Sequence, residues 1–384
     1  MIRRVGPLGI LGGGQLGRMT LQAASVLGID VVIGERFADS PAARLTAHSL
    51  VFEGGWDDVR ALDRMASLAR VVTLENEFVD WRVLRSLEDR GLRVWPSPDC
   101  VRVVQDKLLQ KRALARAELP VPPFREVADP EALLAAGDEL GWPLMLKARR
   151  DGYDGRGNVV VRSPERAADS CAQLGWPERE LFAEAFLDFE RELACLVVRA
   201  LDGSMAEYPV VETRQDPRLH IGREVLAPAN VPAGVATRAA AIAAGAVEAV
   251  GGVGAFGVEL FLLGDGQVWI NELAPRPHNS AHYSIEACWT SQFDNHVRAV
   301  LGMPLGDTAL RTPAAAMVNL LGSGAPPVDD ASLRAALAEP HAYAHLYGKA
   351  ENRPGRKMGH VTALGHNPEE ALARARSVAE RIRV

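Results

Sequence analysis

Phe256-Gly257-Val258-Glu259-Leu260-Phe261-Leu262-Leu263 and Gln267-Val268-Trp269-Ile270-Asn271-Glu272-Leu273 are two strongly apolar runs on either side of Gly264-Asp265-Gly266. The Asp-Gly pair at 265–266 predicts a two-residue type I′ hairpin turn, which pairs Gly264 with Gln267. Carried outward, that register sets Glu259 opposite Glu272 and Asn271 opposite Leu260. Like charges facing each other across a hairpin are destabilising, and more so among residues this apolar. A hard divalent cation between them removes the conflict. Magnesium fits best, because it takes carboxylates together with substrate phosphates and water. The alternative is a carboxylate that is protonated, salt-bridged or turned out to solvent by a bulge.

Working outward, the segment Leu273-Ala274-Pro275-Arg276-Pro277-His278-Asn279-Ser280 leaves the second strand polar and stiffened by proline, as a substrate-binding segment would be. No His/Cys spacing suits zinc. Upstream, a strand ending at Lys147 runs into Ala148-Arg149-Arg150-Asp151-Gly152-Tyr153-Asp154-Gly155-Arg156-Gly157-Asn158. Three glycines in six residues make a flap whose N–H groups can approach phosphate oxygens, although no Gly-Lys-Ser/Thr is present. An ordinary hairpin with a solvated basic rim is the bland reading. Lysine occurs only at 107, 111, 147, 349 and 357, all other cations being arginine. Such a skew is mostly genomic bias, but a lysine kept against it is a stronger candidate than usual for a role as a compact, hydrated point charge.

Two further motifs flank this centre. Gly12-Gly13-Gly14-Gln15-Leu16-Gly17 lies between a strand and a helix, with Glu35 after the next strand. The spacing suits a phosphate or dinucleotide at a helix N-terminus, or simply a tight turn. Near the other end, Lys349-Ala350-Glu351-Asn352-Arg353-Pro354-Gly355-Arg356-Lys357-Met358-Gly359-His360 gathers four cations in an otherwise acidic chain. It reads as an anion site or as a solvated loop.

The rest of the chain supplies context. Strands near 7–11, 30–34, 71–74 and 92–95 alternate with helices, which predicts a doubly wound parallel sheet closed off at Pro96-Ser97-Pro98. A helix is expected over 100–117, longer strands over 181–185, 190–199 and 206–212, an alanine-rich helix over 233–250 and another over 286–301. A net charge of −6 excludes a generic nucleic-acid or anionic-membrane surface. Cys100, Cys171, Cys195 and Cys288 are scattered, as buried reduced thiols are. The arginines near the start run straight into the glycine loop, without the apolar core of a signal peptide. No apolar run is free of charge for long enough to cross a bilayer, and a cytoplasmic protein is expected.

Taken in order, Gly12 to Met19, Gly152 to Gly157, Ile270 to Ser280 and Arg353 to His360 resemble the 5-(carboxyamino)imidazole ribonucleotide synthase family of ATP-grasp enzymes, over nearly the whole chain. The resemblance implies an α/β protein of three parts. These are a Rossmann-like N-terminal domain (1–98), an α+β ATP-grasp domain (99–304) with a mobile lobe at about 120–186, and a small α/β C-terminal domain (305–384). It implies ATP-dependent carboxylation of aminoimidazole ribonucleotide with bicarbonate through carboxyphosphate, with Mg2+, in a homodimer. Carried over by position, Lys107 and Lys147 would meet the ATP phosphates beneath the flap Gly152, Tyr153, Asp154, Gly155, Arg156, Gly157 and Asn158. Glu184, Ala185, Phe186 and Leu187 would line the adenine pocket, with Glu192 on the ribose, Gln215 nearby and Asn271 beside the metal ligands Glu259 and Glu272. Asp154, Arg156, Arg276 and Lys349 would form the catalytic set. Gly14, Gln15, Leu16, Glu75, Asn279 and Ser280 would bind the acceptor, and Lys349, Arg353, Arg356 and Lys357 its phosphate. Another ATP-grasp ligase or a formyl-transferring synthetase, a nicotinamide-dependent oxidoreductase and a non-catalytic nucleotide sensor are the rival readings.

Overall fold

Short buried aliphatic runs alternating with amphipathic helices build the first domain of the computed structural model, which describes residues 6–150, 152, 157–219, 221–324, 329–382 and 384. β1 (Leu8–Leu11), β2 (Val31–Glu35), β3 (Ser49–Val51), β4 (Val71–Leu74) and β5 (Arg93–Val94) form a parallel sheet in the order β3-β2-β1-β4-β5. A parallel sheet needs both faces covered. The helices α1 (Gln15–Val26), α2 (Val59–Leu68) and α3 (Trp81–Asp89) do so through two apolar clusters, one around Leu8, Ile10 and Met19, the other around Leu11, Met65 and Leu84. Strand order reverses between β1 and β4, so a crevice opens at their carboxyl ends. The loop at Gly12 to Gly14 and the segment Glu75-Asn76-Glu77 both leave the sheet there.

The helix expected over 100–117 is two helices. Asp106 adopts extended backbone, and its carboxylate accepts the N–H groups of Leu108 and Leu109 at 3.1 Å each. It therefore ends α4 (Pro98–Gln105) and caps α5 (Lys107–Arg116), which puts Lys107 at the first position of a helix. β6 (Phe124–Val127), α6 (Pro130–Leu140), β7 (Leu144–Ala148), β8 (Asn158–Val161), α7 (Ala167–Gln173) and β9 (Leu181–Ala185) make a separate lobe, its four strands ordered β6-β9-β7-β8 around Leu133, Leu146 and Cys171.

All remaining strands belong to one antiparallel sheet. β10 (Phe189–Arg199), β11 (Met205–Glu207), β12 (Val211–Gln215) and β13 (Gly222–Ala227) precede α8 (Ala233–Ala249), and β14 (Gly254–Leu263) and β15 (Val268–Ala274) form the hairpin. α9 (Ser284–Ala287) and α10 (Gln292–Val300) replace the single helix expected over 286–301, because Ser291 and Asp294 form a capping box that starts a new one. β16 (Ala314–Leu321), α11 (Asp330–Leu337), β17 (Ala342–Leu346), β18 (Lys357–Gly365) and α12 (Pro368–Arg381) complete the chain. The sheet order is β15-β14-β10-β12-β13-β16-β18-β17, with β11 beside β10. The strand expected over 206–212 is thus split into β11 and β12. The alanine face of α8 (Ala239, Ala243, Ala246) packs on Val197, Val258 and Leu260 of the sheet. α10 and Tyr347 join the core of the first domain, through Phe293, Val297 and Val300. The four cysteines are buried and free. Among the described residues no helix is long and apolar enough to cross a membrane.

Candidate active site

The β14–β15 hairpin turns differently from the expectation and still opposes the same carboxylates. Leu263 donates its N–H to the Gln267 carbonyl and Gly266 to the Leu263 carbonyl, both at 2.9 Å, and Gly266 has φ +83°. This is a three-residue loop ending in a left-handed glycine, not a two-residue turn. It shifts the pairing by one residue, so that Leu260 faces Ile270 rather than Asn271. A bulge at Asn271 then shifts it back, and Glu259 faces Glu272. The extra residue also lets the neighbours Asn271 and Glu272 both line the same cavity, which an unbroken pleat would forbid.

The two carboxylates are not equivalent. Burial, and then the charge of Glu272, push Glu259 up to about 7. Burial acts on Glu272 in the same direction, but the Lys107 ammonium, 2.5 Å away, outweighs it and holds Glu272 at about 2. Asn271 donates to Glu259 at 3.2 Å and accepts from Lys147 at 3.3 Å. His278 stands 3.5 Å from Glu259, with its other ring nitrogen 2.8 Å from Ser280 Oγ. Burial foremost, then the charge of Arg276, keep this ring neutral, at about 3. Gly257 makes room for it: a Cβ there would lie 2.4 Å from the His278 Cβ. Among the described residues no group of three or more His, Cys, Asp or Glu side chains could hold a metal ion. A cation at this pair would have two carboxylates and an amide as its oxygen donors and would need others from a ligand. That donor set fits magnesium with a phosphorylated substrate.

The asymmetry makes a prediction for the metal-free protein. Glu259 ionises near 4.5 in an unfolded chain and near 7 in the folded one. Between these values the unfolded chain holds fewer protons, so stability falls as pH rises through the window. Glu259→Gln removes that loss. Its melting temperature is expected to exceed that of the wild type at about pH 7.5, with the gain shrinking towards pH 4.5. An equal or lower melting temperature at the higher pH would show that the free protein accommodates the ionised Glu259 without strain.

A cavity of about 1160 Å3 extends from the hairpin to the crevice of the first domain and the loop between β17 and β18. Its lining carries both signs. Glu35, Glu75 and Glu77 come to it from the first domain, and Lys349, Arg353, Arg356 and Lys357 from the segment that leads from β17 into the start of β18. Gly13 donates its N–H to Glu35 at 2.8 Å and Leu16 to Glu75 at 3.2 Å. A Cβ at Gly14 would lie 2.3 Å from a Glu75 carboxylate oxygen. The glycine loop thus wraps carboxylates, and a phosphate or dinucleotide at this helix terminus would meet two acidic groups; that reading of the motif is corrected. Gly14, Gln15 and Leu16 nevertheless line the cavity.

Arg276 is held in a two-pronged pair by Glu77, with Nη2 to Oε1 at 2.9 Å. The amides of Asn279 and Asn319 exchange hydrogen bonds of 2.9 and 2.7 Å. Between β17 and β18 Lys349 donates to the Lys357 carbonyl at 2.7 Å and lies over the Tyr347 ring. Arg353 and Arg356 both approach the Glu351 carboxylate, at 3.2 and 3.7 Å. Gln215 donates twice to Glu192, at 2.6 and 2.9 Å, and both line the cavity, as do Gly152 and Asn158. Gly157 has φ +90° just before β8, and Tyr153, Asp154, Gly155 and Arg156 lie outside the described residues.

None of the four residues expected around the adenine, Glu184, Ala185, Phe186 and Leu187, lines this cavity: Glu184 is buried between Lys147 and Lys111, Ala185 ends β9 and Phe186 beyond it is exposed. Lys111 was not among the expected site residues, nor were Glu77 and Asn319. Lysine scarcity was the available signal for the first. Lys107, Lys349 and Lys357 line the cavity, Lys147 meets its edge at Asn271, and Lys111 lies behind.

Comparison with known proteins agrees with this arrangement. Residues 5–105 match the ribonucleotide synthetase preATP-grasp domain, 112–293 the ATP-grasp domain and 315–374 the phosphoribosylaminoimidazole carboxylase C-terminal domain. The chain is 42% identical over 356 residues to the N5-carboxyaminoimidazole ribonucleotide synthase of Synechococcus elongatus, covering 92% of this chain and 88% of that one. It belongs to the N5-carboxyaminoimidazole ribonucleotide synthase family. The crystal structure of the carboxyaminoimidazole ribonucleotide synthase from Aspergillus clavatus complexed with ATP matches with a TM-score of 0.88 at 38% identity, over 98% of this chain and 99% of that one. The structure from the same organism in complex with ADP and 5-aminoimidazole ribonucleotide matches at 0.87 and 36%, over 99% and 100%. The chain spans 66% of the length of the phosphoribosylaminoimidazole carboxylase of Schizosaccharomyces pombe, to which it is 42% identical. Within the synthase family the hairpin carboxylates and the basic loop belong to two separately matched domains, and the fold brings them to one cavity.

Proposed function

We propose that the protein joins bicarbonate to the amine of 5-aminoimidazole ribonucleotide at the expense of ATP, giving N5-carboxyaminoimidazole ribonucleotide, ADP and phosphate, as a step of purine biosynthesis. The observation that carries this reading is that one cavity gathers the opposed carboxylate pair and four cations, with Lys357 close enough to act on the charge of Glu259. Magnesium held by Glu259 and Glu272 would neutralise phosphate oxygens of the bound nucleotide. Lys107, paired with Glu272, and Lys147, bonded to Asn271, add positive charge where the transferred phosphoryl group develops negative charge. A bicarbonate oxygen attacks the γ-phosphorus, the bond to ADP breaks, and carboxyphosphate forms. It releases carbon dioxide and phosphate. The acceptor's amine nitrogen bonds the carbon and gives up a proton.

In this reading Asp154, Arg156, Arg276 and Lys349 face bicarbonate and the reacting amine. Glu77 fixes the Arg276 guanidinium beforehand, so little ordering is lost when an anion arrives. Gly14, Gln15, Leu16, Glu75, Asn279 and Ser280 take the nucleoside of the acceptor, and Lys349, Arg353, Arg356 and Lys357 its phosphate. Glu192 and Gln215 take the ATP ribose, and Ala185, Phe186 and Leu187 the adenine. The flap from Gly152 to Asn158 shields the labile intermediate from water. Magnesium as the ion, a homodimer and a cytoplasmic location are parts of the same reading.

Release of ADP measured with each component left out in turn tests it. Turnover is expected only when magnesium, bicarbonate and aminoimidazole ribonucleotide are present together. Rapid ADP release with a different acceptor, and none with this one, would leave an ATP-dependent ligase and remove this substrate.

A further inference from the structure

Behind the cavity wall, two lysines share one carboxylate. Glu184 on β9 is 3% exposed; one oxygen pairs with Lys147 of β7 and the other lies 3.1 Å from Lys111 of α5. The Lys111 side chain is 2% exposed, and its ammonium also donates to the Ile270 carbonyl at 3.1 Å, one residue before the bulge. Only Lys147 reaches forward, to the Asn271 amide at the cavity edge.

Burying a lysine is expensive, and an apolar side chain of similar volume usually serves stability as well or better. The expense is visible here, for burial pulls Lys111 down to about 8 against the opposing pull of Glu184. At neutral pH it is still protonated, so the three groups carry one net positive charge. A pair made of Glu184 and Lys147 alone would carry none. An anion approaching that pair would be repelled by the carboxylate nearly as strongly as it was attracted by the ammonium.

We propose that Lys111 is a positioning residue for the phosphates of the nucleotide: by engaging half of Glu184 from behind, it leaves Lys147 with surplus positive charge at the cavity edge. The inference rests on the nucleotide reading above and adds to it a residue that touches no substrate. Lys111→Met closes Glu184 and Lys147 into a neutral pair. Lys111→Met/Glu184→Gln removes one charge of each sign and restores a single surplus charge on Lys147.

The test is calorimetric titration of the wild type and both variants with ADP and magnesium, with melting temperatures recorded and the acceptor's KM measured beside them. Lys111→Met is expected to weaken ADP binding about tenfold while the acceptor's KM changes by less than about twofold, and the double variant to recover to within about threefold of the wild type. Unchanged ADP affinity in a folded Lys111→Met protein overturns the inference. So does a double variant as weak as the single one, because Lys111 would then act through the Ile270 carbonyl and the shape of the strand. Should Lys111→Met not fold, the double variant decides alone: near-native ADP affinity supports the inference, and a tenfold loss overturns it. A wild type that binds no ADP overturns the nucleotide reading itself, and the inference with it.

Discussion

Replacing Glu272 by glutamine is expected to lower kcat by about three orders of magnitude while the protein remains folded. Glu272 is the member of the pair that is ionised without help, because Lys107 lies 2.5 Å away. Its loss removes the one carboxylate ready to meet a cation, and it frees the Lys107 ammonium to contact the nucleotide in a different place. Opposed charges alone suggest that either glutamine substitution stabilises the metal-free protein. The structure separates the two, since Glu272→Gln also leaves Lys107 without its partner, whereas Glu259→Gln leaves no cation stranded. ADP release measured against magnesium concentration, with melting curves alongside, checks this. Ordinary turnover by Glu272→Gln at ordinary magnesium concentration would sink the metal site.

Arg356→Ala is expected to raise the acceptor's KM by about one to two decades and to change that of ATP far less, the size of a charge-assisted contact to phosphate. Arg356 is better placed for this than Arg353, which has 69% of its side chain exposed against 32%. Its guanidinium donates to the Glu351 carbonyl at 2.9 Å, and the residue lines the cavity. Arg356→Lys recovers only part of the loss, because an ammonium cannot reproduce a two-pronged contact. Lys349→Met, by contrast, lowers kcat more than it raises KM if that lysine meets the reacting anion. Steady-state kinetics with each substrate varied would decide. An acceptor KM unchanged by Arg356→Ala would make the segment an ordinary solvated loop.

The parts of this molecule legible beforehand are those whose cause is local. Alternating aliphatic runs and helices foretold the first domain, and the Glu259–Glu272 conflict was visible because opposed charges in an apolar hairpin need an explanation. That the pairing came out as expected depended on two features cancelling: the three-residue turn moves the register one way and the bulge at Asn271 moves it back. A bulge is fixed by what the strand must present to the cavity, which no short stretch encodes. β3 and β13 escaped notice for a related reason. β3 has only three residues, and β13 begins Gly222-Arg223-Glu224, polar until its last half; each is a strand because neighbours distant in sequence pair with it. Asp106 could have been recognised as a helix cap in an apolar pattern. Lys111, four residues after Lys107, could have been placed on the same helix face. Its partner Glu184 could not, since the contact spans two lobes.

The antiparallel sheet from β15 to β17 carries both the hairpin carboxylates and the basic loop of the cavity. The hairpin carboxylates sit at one edge, and the basic loop joins the two strands at the other. Hydrogen bonds run unbroken between them, across β13 and β16, where the ATP-grasp and C-terminal sequences meet. By sequence this is a chain of three modules, but by its ladder the second and third are a single plate. In the proposed function the phosphoryl donor's ion and the acceptor's phosphate would thus both be carried by one continuous sheet, separate from the four-stranded lobe. The same fact constrains inheritance. The last module cannot be traded for another like a bead on a string, because whatever replaces it must also complete the open edge of β13.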